Sequence, residues 1–443
     1  MTLQRAEKWA YYLAYAFVLY MPLHIFLSQS LSLITGGLDI WKAAKDIIMV
    51  LAVFPLLFIA YKQGALKDRF FKKFAALGAG YVLIYFLFLI FDKNADTTSA
   101  ITGSVYNTRI LGYFLLGYVV ANARDGSRYV RSLLKALLVM CGIVAAFGVL
   151  QYFLPKDFLT HFGYSVDRGV KPMFFIDDKP DFPRVMSTLR DPNSLGAFLA
   201  FPIAYSVYFL FIKKGKQAYK VLSDNGLKAL LFVSTVCLFL TFSRSGLITA
   251  VASTSALLLV TVKKKGALVK KLAPVATILL LVIASLLFVF RNTYTVQNVL
   301  LHADASTVQE DPNELRLSLG KKVADHIKDY PFGEGPGTAG LVSISNPKGT
   351  QLTENYYLQI AYEVGIFGFL LYVAIFALVL VHLFGAKNTL STVVLATGLG
   401  IAVFSMLNHS WSNEGLALQW WLLAGMACVL LPENAKLSKK NKI

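Results

Sequence analysis

The chain reads as an all-α polytopic membrane protein, on three observations. Hydrophobic residues make up 56% of the 443 and charged residues only 15%, a balance unlike that of soluble domains. The apolar residues are clumped: "LAVFPLLFIAY", "ALLVMCGIVAAFGVLQYFL" and "LAPVATILLLVIASLLFVF" fall near the length that ~30 Å of hydrocarbon demands of a helix. The net charge of +18 is concentrated in short loops between such runs rather than spread over a surface.

Taken in order, about twelve spans are expected, near 9–28, 40–61, 74–91, 104–122, 132–154, 193–212, 227–243, 245–262, 272–290, 354–383, 391–408 and 415–431, in one membrane domain covering 1–443. No small-residue cleavage site closely follows the first, which is read as a retained helix rather than a signal peptide. The loops "YKQGALKDRFFKK", "NARDGSRYVRSLLK", "KKGKQAYKVLSDNGLK" and "KKKGALVKK" follow even-numbered spans, and "AKLSKKNK" follows the twelfth. Short Lys/Arg-rich loops belong to the cytoplasm, so both termini are placed there and the basic excess is read as topology, not nucleic-acid binding. Cys141, Cys237 and Cys428 fall inside apolar runs without metal-ligand spacing, so neither a disulfide framework nor a zinc site is expected.

Two connections on the other, external side are long, 155–192 and 291–353, and long loops without low complexity point to function. The first ends in "RVMSTLRDPNSLGAFLAFP", where Asp191 and Pro192 are a helix start: an N-cap followed by proline. Arg190 therefore stands at the water interface, either snorkelling or facing a site. In the second loop, "DPNELRLSLGKKVADHIKDYPFGEGPGTAG" repeats the start signal, with Glu314 placed as in a capping box. Leu319, Val323, Ile327 and Tyr330 then recur at helical spacing, predicting an amphipathic surface helix over about 312–330 that carries Arg316 in its first turn. "GPGTAG" matches the dinucleotide pattern GxGxxG literally, but no strand precedes it, and a glycine-rich return turn is the better reading.

In "TFSRSGLITA" Arg244 has only small polar neighbours in a tight connection between two spans, expected near membrane depth, where an arginine usually faces a cavity or partner, with snorkelling to the interface as the alternative. Arg109, Lys42 and Lys45 lie in the external halves of their spans, with Asp46 available as a structural partner. Arg190, Arg244 and Arg316 thus share one side with Glu354, at the head of "TENYYLQIAYEVGIFGFLLY". Guanidinium groups bind oxyanions such as a diphosphate bidentately, and a nearby carboxylate can accept a proton from an attacking hydroxyl.

The combination of "FSRSG", "NELRLSLGKKVADHIKDYPFGEGPG" and "ENYYLQIAYEVGIFGFLLY" in a chain of about twelve spans resembles the O-antigen ligase superfamily of integral-membrane glycosyltransferases, which includes ligases, polymerases and some protein O-oligosaccharyltransferases. The resemblance implies transfer of a glycan from a polyprenyl (undecaprenyl-type) diphosphate carrier to a glycan, lipid or protein acceptor hydroxyl, on the external face of a bacterial inner membrane. It implies no metal, nucleotide sugar or other cofactor, and no nucleic acid as partner. It assigns the diphosphate to Arg190, Arg244 and Arg316. The ligase motif before the tenth span usually opens with a histidine taken as the base; here Glu354 stands in that position. Glu354 is then a general base, a structural partner of the arginines, or a sugar ligand. Asn355, Tyr356, Arg109 and His409, the last in "MLNHSWSNEG", are further candidates for substrate contact.

A ligase is the leading reading and a polymerase extending a carrier-linked glycan the alternative. A polysaccharide or lipid transporter would also be multi-spanning, but it should show internal repeats and broken helices, and neither is evident in the sequence.

Overall fold

A computed structural model describes residues 2–92, 96–176, 179–213, 217–261, 312–347, 351 and 353–430. The first span is one long bent unit, helix α1 (Leu3–Tyr20) joined by a single 3-10 turn at Met21–Leu23 to α2 (His24–Thr35). There follow α3 (Leu38–Lys62), α4 (Arg69–Phe91), α5 (Thr97–Asn122) and α6 (Gly126–Gln151). A small antiparallel hairpin, β1 (Phe174–Ile176) and β2 (Lys179–Arg184), then interrupts the otherwise helical plan. Next come α7 (Pro192–Val207), α8 (Asp224–Leu240) and α9 (Arg244–Thr261). The rest comprises α10 (Pro312–Asp329), α11 (Tyr356–Ala386), α12 (Thr389–Phe404) and α13 (Glu414–Val429). The ninth expected span, the loop up to 311 with His302, and the basic tail lie outside the described residues.

Among the described residues, seven helical stretches are long and apolar enough to cross a membrane, and α12 and α13 are shorter apolar helices. Their starts are set by side chains that satisfy orphan backbone donors. Asp68 accepts from Phe70 N, Asp96 from Ser99 N, Asp191 from Ser194 N and Asn413 from Leu416 N.

Hydrogen bonds define the two ends of the bundle. At one, Gln63 Nε2 donates to Glu7 Oε1 (2.9 Å) and to Val119 O (3.1 Å), joining the start of α1 to the ends of α3 and α5. At the other, Arg168 in the connection after α6 donates to Gln29 Oε1 on α2 (3.0 Å), and Lys42 on α3 donates to Arg168 O (3.3 Å). Inside, helices meet at small residues, which let backbones approach closely. A Cβ on Gly196 of α7 would lie 2.8 Å from Gly246 Cα of α9, so the two helix starts are pressed together.

Contrary to the sequence expectation of unbroken helices, α11 is interrupted. Val364 and Gly365 leave helical geometry, and Gly365 adopts φ 67°, open to glycine because it lacks a Cβ. The loop 331–335 inserts at the break: Glu334 N donates to Tyr362 O, Gly335 N to Glu363 O, and Ile366 N to Pro331 O, each at 2.9 Å. The freed backbone groups are thereby satisfied, as irregular backbone in an apolar setting requires. What remains is a half-helix, 356–363, followed by a longer segment.

The glycine-rich "GPGTAG" turn has a distinct task. Gly337 N (3.0 Å) and Ala339 N (3.4 Å) donate to Glu363 Oε1, while Asn107 Nδ2 on α5 donates to Oε2 (2.6 Å). The dinucleotide-like pattern thus cradles no bound phosphate but the chain's own buried Glu363 carboxyl group.

Candidate functional site

At the end of the bundle that carries Arg168 and Lys42, four connections converge. Asn355 caps the half-helix, its Oδ1 accepting from Tyr357 N (3.0 Å) and Leu358 N (3.1 Å). Glu354 immediately precedes it, half-buried, with φ 45°. Left-handed backbone at a residue with a Cβ costs roughly 1–2 kcal/mol, and such strain gathers at functional sites. Among the described residues the other non-glycine positions with positive φ are Ser187, Phe242 and Lys387. The first two lie just before Arg190 and Arg244, so three of the four border this site.

His409, between α12 and α13, completes the approach to Glu354. Its Nδ1 lies 2.9 Å from Gln359 Oε1 on the half-helix, and its ring is within charge range of Glu354, Arg190 and Asp191. With the amide oxygen as acceptor, the ring proton sits on Nδ1 and Nε2 keeps a free lone pair. Burial pushes the His409 pKa down to about 4, so the imidazole is neutral at physiological pH.

The arginine-bearing helix starts are tied in through amides and hydroxyls. Asn193 Oδ1 accepts from Ser243 Oγ (2.8 Å) and from Arg184 Nη2 (3.2 Å), while Asn193 Nδ2 reaches Asn408 Oδ1 (3.5 Å). Asn408 Nδ2 is a buried donor with no partner among the described residues. Ser243 caps α9 by accepting from Gly246 N (3.0 Å), which places Arg244 at the first helical position. Both flanking serines turn inward and are buried, whereas Arg244 is exposed rather than enclosed. Arg316 falls in the first turn of α10; its side chain lies outside the described residues.

Two sequence candidates are held elsewhere. Tyr356 is fully buried; its hydroxyl donates to Asn107 Oδ1 (3.1 Å) and its ring meets Tyr372 edge-on, inside the bundle rather than at a wet interface. Arg109 is 4% exposed and lies in a buried quartet. It stands 3.2 Å from Asp46 and 3.7 Å from Glu414, while Lys45 stands 2.8 Å and 3.6 Å from the same carboxylates. Its Nη2 also donates to Trp411 O (3.0 Å) and Ser412 O (3.2 Å), just beyond His409. Asp46 thus partners both Lys45 and Arg109.

Sequence reasoning passed over Gln359, Asn193, Asn408 and Glu363. For Glu363 a signal existed, a lone acid within an apolar helix; the amides carry no such mark.

Apolar helices of span length, with a polar, arginine-bearing end, define the class as a multi-pass membrane protein. Residues 229–373 match the family model described as O-antigen ligase. The match supports the place of this chain in the O-antigen ligase superfamily, whose members are glycosyltransferase-like membrane enzymes of polysaccharide biosynthesis. The matched stretch contains Arg244, Arg316 and Glu354, while Arg109, Arg190 and His409 lie outside it. No curated protein sequence matches the chain.

Proposed function

We propose that the chain moves a glycan from a polyprenyl diphosphate carrier to an acceptor hydroxyl, as an O-antigen ligase does, at the end of the bundle where Glu354 and His409 meet. That end faces outward from a bacterial inner membrane, with both termini in the cytoplasm. The acceptor oxygen attacks C1 of the carrier-linked sugar, the bond from C1 to the diphosphate oxygen breaks, and the acceptor proton passes to Glu354. Arg190, Arg244 and Arg316 hold the departing diphosphate, where charge grows in the transition state and fixed cations are most effective. Neutral His409, with Nε2 unprotonated, is a second proton acceptor beside Glu354. Asn355 holds the turn that presents Glu354. Neither a metal nor a nucleotide sugar takes part.

The observation that carries this reading is that Glu354, itself in left-handed backbone, and Arg190 both lie within charge range of His409, whose Nδ1 is 2.9 Å from Gln359 Oε1 on the half-helix. The test is transfer by the reconstituted chain, supplied with a lipid-diphosphate glycan and candidate acceptors. Glu354→Gln keeps the shape and removes the base, and a loss of about 10²–10⁴-fold in turnover is expected. Arg244→Ala alters an exposed side chain, so stability should hold within about 0.5 kcal/mol while transfer is lost. Near-normal turnover in either variant refutes the role assigned to that residue. A product lengthened on its own carrier would mark a polymerase instead of a ligase.

A further inference from the structure

His409 is held by more than its own connection. Its Nδ1 lies 2.9 Å from Gln359 Oε1, and Gln359, itself buried, stands on the half-helix one turn before the fully buried Glu363. Residues four apart share a helix face, so the Gln359 amide is flanked by His409 and by Glu363. Glu363 is surrounded by donors: Gly337 N (3.0 Å) and Ala339 N (3.4 Å) on Oε1, Asn107 Nδ2 (2.6 Å) on Oε2, and the Gln359 amide as a fourth hydrogen-bond partner. A carboxyl group that serves its neighbours as acceptor takes the N–H side of the Gln359 amide, which turns the carbonyl side to His409. The glycine-rich turn clamps the amide from a third direction. A Cβ at Gly340 would lie 2.4 Å from Gln359 Cδ and Oε1 and 2.6 Å from Nε2, closer than atoms approach, so bare backbone is pressed on the amide. The main chain on the His409 side is fixed as well: Tyr356 N donates to Ser405 O (2.8 Å), Ser410 Oγ to Ser405 Oγ (2.5 Å), and Arg109 holds the carbonyls of Trp411 and Ser412. A glutamine that cannot turn over presents one acceptor to one ring nitrogen, and that hydrogen bond decides which nitrogen of a neutral imidazole carries the proton.

We propose that Glu363 and Gln359 are positioning residues that lock His409 in the Nδ1–H form and so keep its Nε2 lone pair available as a proton acceptor. This role rests on the transfer reading above and names what prepares a neutral imidazole for it. A proton leaving the acceptor hydroxyl, directly or by way of Glu354, ends on Nε2 as the new glycosidic bond forms and the diphosphate departs. The resulting imidazolium keeps its Nδ1–H on Gln359 Oε1, and the amide passes no proton on to Glu363. Neither Gln359 nor Glu363 touches substrate; both act through the orientation and tautomer of His409.

The test is the tautomer of His409, read by nitrogen NMR of the full chain carrying isotope-labelled histidine, in lipid nanodiscs at neutral pH. The His409 signals are identified by their loss in His409→Asn, and the readout needs no turnover. The wild type should carry its proton on Nδ1. Gln359→Met, close in length but without an acceptor oxygen, should shift the proton to Nε2, and Gln359→Glu, which returns an acceptor oxygen, should restore Nδ1–H. Glu363→Gln sets a donor against the amide nitrogen of Gln359 and should weaken the Nδ1–H signal without touching His409. In transfer assays Gln359→Met should lower kcat about 10–100-fold with KM for donor and acceptor within about twofold, and Gln359→Glu should recover most of the loss. Thermal unfolding of each variant is the folding control. A wild-type proton on Nε2, or an Nδ1–H signal unmoved in Gln359→Met, overturns the proposal, and a signal unmoved in Glu363→Gln removes Glu363 from it. A shifted tautomer with kcat unchanged also overturns it, leaving Glu354 as the proton acceptor. Absence of transfer by the wild-type chain counts against the transfer reading instead, and the spectra then decide the lock by themselves.

Discussion

Replacing Arg109 with alanine should unsettle the protein before it touches chemistry. The side chain is enclosed, and its loss leaves Asp46 and Glu414 facing Lys45 alone, one buried negative charge in excess. It also strips the carbonyls of Trp411 and Ser412 of their donor. Removing one partner of a buried ion pair costs about 3–5 kcal/mol, a large part of the roughly 5–15 kcal/mol that holds a folded chain together. The charge count supplies a rescue. Arg109→Met with Glu414→Gln leaves Lys45 against Asp46, balanced again, so the double variant should be more stable than Arg109→Met by about 2 kcal/mol. Heating the detergent-solubilised protein and following the surviving monomer by size exclusion gives the ranking. Equal stability of single and double variants would refute the quartet argument. Full stability of Arg109→Ala with a large rise in donor KM would return Arg109 to the substrate pocket.

Other expectations follow from the same geometry. Glu363→Gln offers one acceptor oxygen where Gly337 N, Ala339 N and Asn107 Nδ2 converge on two, so one side meets a donor. A loss of about 1–3 kcal/mol and faster amide exchange confined to 333–340 are expected, and unchanged exchange there would contradict the lock. His409 gives a pH signature. Its folded pKa, about 4, lies below the unfolded value near 6.5, so its contribution is complete above pH 6.5 and falls away as the pH drops toward 4. The effect is at most about 3 kcal/mol. His409→Asn should flatten that part of the stability profile, and an identical acid slope in the variant would show that other groups dominate. If His409 is the base, kcat/KM should stay level from pH 8 to about 5 and decline only near pH 4.

The helices were legible because apolar runs of span length leave few alternatives, and Asp191 with Pro192 marks a helix start that the structure reproduces. The break in α11 was hidden because "YEVGIFG" reads as a continuous apolar helix with one acid. Nothing local announces that Gly365 will take φ 67° to admit residues 331–335. Within the site, arginines and Glu354 were visible as charges in apolar surroundings. Their neighbours were not: Gln359 with His409 and Asn193 with Asn408 are neutral pairs brought together by tertiary packing. The quartet joins residues 45, 46, 109 and 414, a pairing no window along the chain can suggest. Arg244 illustrates the opposite error. Its small polar neighbours implied enclosure, yet helix geometry turns Ser243 and Ser245 inward and leaves Arg244 out.

Helix α5 links these features. The half-helix that carries Glu354 is fixed at both ends by one side chain: Asn107 Oδ1 accepts from Tyr356 at its start, and Asn107 Nδ2 donates to Glu363 at its end. Tyr356 and Glu363 are seven residues apart, two helical turns, and so lie on the same face toward α5. Two residues along, on a different side of α5, Arg109 grips the carbonyls just past His409. One helix therefore holds both parts of the proposed site, the half-helix that follows Glu354 and the connection that follows His409. Because positioning errors of about 1 Å can cost a catalyst 10²-fold, Asn107 and Arg109 can govern turnover without touching substrate. The glycine-rich turn belongs to the same device, since the Glu363 carboxyl group that its N–H groups hold is the one Asn107 grips.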